Sequence, residues 1–314
     1  MTYPLFLKPT FHDRIWGGTQ LRDQFGYEIP YEQTGECWAV SAHPHGESII
    51  LNGVHAGLPL SKMWTQHPEY FHSNAKQFPL LTKILDSAQD LSVQVHPDDA
   101  YAEANNLGEL GKSECWYIIN AIPDAEIILG HTAQTKEELE LLVRHGRWDE
   151  LLCRIPVRAG DFFYVPSGTV HSIGKGIQIL ETQENSDTTY RFYDFDRLDS
   201  NGKQRELHID RSLAVTTVPH QSFASHYSTK KVASTEITTF ISNQYFTVQK
   251  WHVTGPTQFK GPAKYLIFSI ISGNGHISVG EELYPIAKGD HFILPHGIEN
   301  YQMHGQLTCI VSCE

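Results

Sequence analysis

The chain is short of the features that mark secreted, membrane or nucleic-acid-binding proteins. Its five cysteines (Cys37, Cys115, Cys153, Cys309 and Cys313) are odd in number and include no CxxC pair, so no disulfide framework is expected. Lys and Arg are scarce, 24 against 36 Asp and Glu, which leaves a formal charge of −12. So acidic a chain does not bind nucleic acid or an anionic membrane by bulk electrostatics, and a phosphorylated ligand must be met by a few local cations inside a negative shell. No apolar run approaches the roughly 18 residues of a membrane span. The opening MTYPLFLKPTFHDRIWGG has no basic stretch followed by an apolar one, so no signal peptide is expected. A soluble cytoplasmic protein with reduced thiols is the expectation.

Charged residues reach only 19%, whereas Gly (24) and Pro (16) are plentiful, a balance that favours strands and turns over long helices. A hydrophobic share of 40% with 11% aromatics is enough for a real core and argues against disorder. The 314 residues suffice for two domains of about 150 each, or one large one. Eighteen histidines justify a search for metal-ligand spacing.

Apolar runs with period-two alternation recur at 37–44, 90–97, 115–123, 125–131, 161–168 and 176–183 and read as strands. Helices are predicted near 60–72, at 98–107, and after the capping box Thr135-Lys-Glu-Glu138. Residues 211–235, rich in Ser, Thr and small side chains, read as a linker or an extended crossing segment, after which strands resume. The chain therefore divides into residues 1–225 and 226–314. The halves share a repeat: Arg158–His171 aligns without gaps on Ala287–Asn300, with Gly160/Gly289, Asp161/Asp290, Phe163/Phe292, Pro166/Pro295 and Gly168/Gly297 identical. Gly-Asp turns into a strand and Pro-x-Gly turns out of it. This pattern resembles the second motif of the cupins, small jelly-roll barrels, and its two copies imply a mainly β protein of two cupin domains, with a few short helices inserted in the first.

In a cupin the metal is held by side chains pointing inward from neighbouring strands. Gln94-Val-His96 places two ligand types at i and i+2, on one face of a strand. Glu114 opens the next apolar run, and His171 closes the PSGTVH turn. Two His, one Glu and one Gln suit Zn2+ or another divalent first-row metal. The second copy carries Asn300 where the first has His171, and GNGHISVG offers only His276 where a ligand pair would stand, so the C-terminal barrel is expected to bind no metal.

FPLLTKILDSAQDLSVQVHPDD, GKSECWYII, VPSGTVHSIG and NSDTTYRFYDFDR, with the early WGG and GECWAVSAHP, resemble the type I mannose-6-phosphate isomerases, particularly their short bacterial form, through about the first 210 residues. The resemblance implies a zinc-dependent aldose–ketose isomerase acting on mannose 6-phosphate and fructose 6-phosphate, with one Zn2+ per chain. It places the metal ligands at Gln94, His96, Glu114 and His171, a catalytic arginine at Arg191 and an acidic proton-transfer candidate at Glu181. Ser92, Lys112 and Trp16 fall on the substrate side, and Arg197 stands where longer members have a phosphate-binding lysine. Two departures stand out. Phe192-Tyr-Asp-Phe-Asp196 replaces a glycine-containing turn, and no helical domain is inserted before His171. Taken singly, Arg191 reads as a surface ion pair with Asp187 or Asp194, Lys112 as an exposed loop cation, Glu181 as a solvent-facing strand end, and Trp16 as a packing residue. Two other functions share the ligand set or the cations: another metal-dependent cupin enzyme, and a non-catalytic cupin that binds a sugar phosphate. No nucleic-acid or membrane partner is expected, and the oligomeric state is open.

Overall fold

Alternation along three strands decides where the first barrel is greasy and where it is wet. The computed structural model describes residues 2–199, 201–223 and 226–314. In it Glu114–Ala121, Ile177–Glu184 and Leu80–Ser87 lie side by side, antiparallel, with Glu181 opposite both Trp116 and Lys83. Successive side chains point to opposite faces. On one face Trp116, Ile118, Ile177, Ile179 and Leu85 gather with Trp16, Ile127 and Ile173 into an apolar floor. On the other, Leu80, Cys115, Tyr117 and Leu180 enter a core shared with Phe240, Phe246, Tyr265 and Ile267 of the C-terminal half. One step beyond the floor, on that same inner face, stand Glu114, Glu181 and Lys83. Parity along the strands thus builds an apolar base and a polar upper chamber from the same three elements.

These strands belong to a six-stranded sheet. A five-stranded sheet closes the barrel, in the order Tyr190–Tyr193, Val93–Val95, His171–Ile173, Glu126–His131, Leu152–Pro156. The C-terminal half supplies eight strands of a ten-stranded sheet, and two N-terminal strands, Leu5–Lys8 and Ile49–Ile50, complete it, Leu5 lying opposite Ile293. A division at residue 225 therefore leaves the first strand on the far side of the boundary, and residue 225 itself lies outside the described residues.

Both copies of the repeat turn alike. Gly160 and Gly289 each adopt φ +96°, a region that favours glycine, and Gly168 and Gly297 follow at +81° and +88°. Asp161 accepts the Arg158 N–H at 2.9 Å, and Asp290 accepts the Ala287 N–H at 2.6 Å. The predicted helices are shorter than their patterns: Leu60–Gln66 with a 3-10 turn Pro68–Tyr70, Asp99–Ala104 capped by Asp98, and Lys136–Arg144 capped by Thr135. Residues 211–235 are not a plain linker. The helix Ile209–Val215 occupies the start because Ile209, Leu213 and Val215 dock on Tyr190 and Phe192, and the strand Ser228–Val232 occupies the end. No helix among the described residues is long and apolar enough to cross a membrane.

Candidate metal centre and its pocket

Where the two sheets of the first barrel face each other, their polar residues converge. Gln94 and His171 sit opposite one another on the five-stranded sheet, His96 follows the strand Val93–Val95, and Glu114 comes from the six-stranded sheet. One ligand atom each from His96, Glu114 and His171 lie within 4.8 Å of one another, and all three residues are buried. His96 Nε2 is 3.5 Å and His171 Nε2 3.4 Å from the Glu114 carboxylate.

The hydrogen bonds behind these groups set them up as ligands. His96 Nδ1–H donates to the Thr188 carbonyl and His171 Nδ1–H to the Thr169 carbonyl, each at 2.8 Å. That leaves both Nε2 lone pairs facing Glu114, the tautomer a metal needs. Burial, with Lys112 nearby, pushes His96 down to about 3, and burial lowers His171 as well, so both rings stay neutral. Burial alone would raise Glu114, but the Lys112 charge beside it holds it well below the usual carboxylate range. Its Oε1 accepts the Trp116 indole N–H at 3.0 Å. His96 Nε2 and Glu114 Oε2 are buried without a hydrogen-bond partner, although Lys112 Nζ stands 3.2 Å from the latter as a charge neighbour. Two orphaned acceptors, beside the lone pair of His171 Nε2, fit a divalent cation of the Zn2+ type. The Gln94 amide lies 3.3 Å from His171 Nε2, at the edge of the same trio.

The chamber above this trio has a volume of about 490 Å³ and is lined by Ser92, Gln94, Lys112, Glu114, Glu181 and Arg191 among others. Glu181 is buried, 3.8 Å from Lys112 Nζ and 4.0 Å from Lys83 Nζ. Burial and the Glu114 charge raise its carboxyl above the ordinary range. Lys112 is buried rather than exposed, and its two carboxylate neighbours raise it against the effect of burial. Arg191 makes no ion pair with Asp187 or Asp194. Its Nε donates to Ser92 Oγ at 3.2 Å and its Nη1 to the Glu206 carbonyl at 2.8 Å. Trp16 is buried in the floor and borders the chamber.

Arg197 is outside the lining. Its guanidinium is held by Asp194 at 2.5 Å and by the Asp90 carbonyl. Arg205, which shares Asp194 at 2.6 Å, lines the chamber instead. Residue reasoning also missed Lys83, Arg14, Glu36 and Asp187. Lys83 could have been found, as the one cation in the apolar strand LLTKILDS. It lies 4.8 Å over the Trp38 ring, and Trp38 in turn donates to Glu36 at 2.6 Å.

The model of the family "Phosphomannose isomerase type I, catalytic domain" matches residues 5–119, and that of "Mannose-6-phosphate isomerase, cupin domain" matches residues 236–314. The chain is 53% identical over 312 residues to the mannose-6-phosphate isomerase ManA of Bacillus subtilis, covering 99% of each. It is also 53% identical over 313 residues to the mannose-6-phosphate isomerase of Streptococcus mutans, covering 99% of this chain and 98% of that one. The crystal structure of the mannose 6-phosphate isomerase from Bacillus subtilis superposes with a TM-score of 0.97 at 50% identity, over 99% of both chains. At 15% identity, a Salmonella typhimurium phosphomannose isomerase shares the fold with a TM-score of 0.79.

Proposed function

The chain belongs to the type I phosphomannose isomerase family, and from that premise we propose that it is a zinc-dependent mannose-6-phosphate isomerase, interconverting mannose 6-phosphate and fructose 6-phosphate with one Zn2+ per chain. The observation that carries the zinc reading is the trio His96, Glu114 and His171, two of whose acceptor atoms are buried without partners. Gln94 is the fourth ligand of this reading. When bound, the ion supplies Lewis-acid polarisation of the sugar oxygens.

An aldose–ketose isomerase moves one proton from C2 to C1 of the open-chain sugar, and a hydroxyl proton from O2 to O1, by way of an enediol. Glu181 takes the proton from C2 of mannose 6-phosphate and returns it to C1. Its buried seat on the inner face of the barrel shields the transferred proton from water. Lys112 and Lys83 flank that carboxylate and compensate its charge once the proton has left. Arg191, held by Ser92, presents its remaining N–H groups to the negative charge that develops on the substrate. Trp16 forms an apolar wall beneath the sugar. Arg197 acts only through Asp194, which also orients Arg205 toward the chamber. A few buried cations thus meet a phosphorylated sugar inside a protein of net charge −12. All five cysteines are unpaired, which supports a reducing compartment such as the cytoplasm.

The test is a coupled assay with mannose 6-phosphate on protein stripped of metal and then reloaded. Activity is expected to vanish on stripping and to return with Zn2+. Full activity in the stripped protein would overturn the zinc dependence.

A further inference from the structure

One carboxylate outside the chamber is tied to it through a turn of chain. Glu109 follows the helix Asp99–Ala104 in a polar loop and does not line the chamber. Its Oε2 accepts three bonds from consecutive residues: Ser186 Oγ–H at 3.0 Å, Asp187 N–H at 2.8 Å and Thr188 Oγ1–H at 2.9 Å. Its other oxygen is 3.4 Å from His43 Nε2. Burial would raise Glu109, but these bonds outweigh it and hold the carboxyl below its ordinary range.

The turn needs such an anchor. Residues 186–188 lie between the strands Ile177–Glu184 and Tyr190–Tyr193 and belong to neither ladder. Yet the turn serves the site twice. The Thr188 carbonyl accepts the His96 Nδ1–H at 2.8 Å, and Asp187 forms part of the chamber wall. Gln183 Nε2 also donates to the Ser186 carbonyl at 2.6 Å, but Glu109 is the group that reaches Thr188, whose carbonyl selects the tautomer and the ring angle of His96.

We propose that Glu109 is a positioning residue for the metal centre: it clamps the 186–188 turn so that Thr188 holds His96 with Nε2 aimed at Glu114. The inference rests on the zinc reading and adds to it a residue in contact with neither metal nor sugar. Losing the partner of a ligating histidine lowers metal affinity by about 10–100-fold, so a loss one step further out is expected at the low end, about 10-fold.

The experiment uses the full chain with Co2+ as a spectroscopic stand-in for Zn2+, comparing wild type, Glu109→Ala, Glu109→Gln and a control, Glu103→Gln, on an exposed position of the neighbouring helix. Co2+ affinity by chelator competition and the visible Co2+ absorption are read, with thermal unfolding of the metal-free protein alongside. Glu109→Ala is expected to bind Co2+ about 10-fold more weakly and with a changed visible band, while Glu109→Gln, which keeps an acceptor of the same shape, regains part of the loss. The control is expected to match wild type. Folded Glu109→Ala with wild-type affinity and spectrum overturns the proposal. If Glu109→Ala does not fold, Glu109→Gln and Thr188→Val carry the test with a smaller loss of about threefold each, and wild-type affinity in both overturns it. Wild type that binds neither Co2+ nor Zn2+ overturns the zinc reading and this inference together. Tight wild-type binding with unaffected Glu109 variants overturns this inference alone.

Discussion

The two barrels use one scaffold for opposite interiors. Strand register sets the equivalent positions. Glu114 faces Val165 as Leu266 faces Leu294, and Glu181 faces Trp116 as Val311 faces Phe268. Lys83 faces Glu181 as Gln249 faces Val311, and His171 faces Gln94 as Asn300 faces Lys260. The charged positions of the first chamber thus become apolar or neutral in the second. His276 does not take the place of the ligand pair: the register puts Lys260 at the position of Gln94, and His276 lies across from His304 on a different hairpin. With no charge to compensate, the second interior closes on itself. Phe268 and Phe292 stack at 4.8 Å beside the buried Leu294, Met303 and Leu307.

The buried histidines carry the same contrast. In the first barrel His96 and His171 spend Nδ1–H on carbonyls and keep Nε2 for a ligand. In the second, His291 has a partner on each nitrogen, Ser269 Oγ at 2.9 Å and the Tyr27 hydroxyl at 2.8 Å. A ring with both nitrogens occupied is a packing element. A ring with one nitrogen bare, aimed at a carboxylate, is half of a binding site.

Six substitutions would sharpen or break this contrast. The largest effect is expected from His96→Ala or His171→Ala, each abolishing isomerase turnover, because removing one ligand opens the chelate to water. Residual turnover near wild type in a coupled assay would erase the functional difference between the barrels. Next, Arg191→Ala is expected to lower kcat by about 10²–10³ with metal content normal, since the arginine meets charge that appears in the transition state. A rise in KM with kcat unchanged would make it a ground-state phosphate grip. Both constants within about twofold of wild type would leave it no role.

In the second barrel the effect is expected in stability instead. Phe292→Ala removes a fully buried ring and is expected to cost about 3–5 kcal/mol in denaturant unfolding while bound metal stays unchanged. Smaller again is a pH effect. Burial pushes His291 down to about 3 from its ordinary 6.5, so below pH 6.5 the unfolded chain takes up a proton that the folded chain refuses. Stability from this group is complete above 6.5 and falls as the pH drops toward 3, by at most about 1.4 kcal/mol per pH unit. His291→Asn is expected to flatten that acid limb in urea titrations at pH 4 to 7, and an unchanged slope would show that the ring accepts its proton in the fold. Smallest of all, Asn300→Ala, on an exposed position, is expected to leave stability within about 0.5 kcal/mol and turnover unaltered.

Much of the first barrel was legible because strand parity is local. Gln94-x-His96 and Glu114 declare a face by spacing of two, and the glycines of the repeat mark turns at φ +96° that other residues avoid. Side chains set by loops were not legible. Arg197 was expected at the phosphate, but Phe195 and Asp196 both take left-handed backbone (φ +56° and +54°), and the turn delivers Arg197 to Asp194. Arg205, further along the same loop, reaches the chamber, and no periodicity in an irregular segment announces that exchange. Lys112 has a loop context that implies exposure, yet two carboxylates contributed by separate strands bury it. From residue 211 on, the helix Ile209–Val215 reads in sequence as linker because so short a run shows no full helical repeat, and its support comes from Tyr190 and Phe192, distant in sequence.

The contrast between the barrels comes down to one number, the metal content of the intact protein. Elemental analysis is expected to find one zinc ion per chain in wild type and in Asn300→Ala, and essentially none in His96→Ala or His171→Ala. A tightly held ion that survives both histidine substitutions, or a second ion per chain, would contradict the assignment of the site to the first barrel alone.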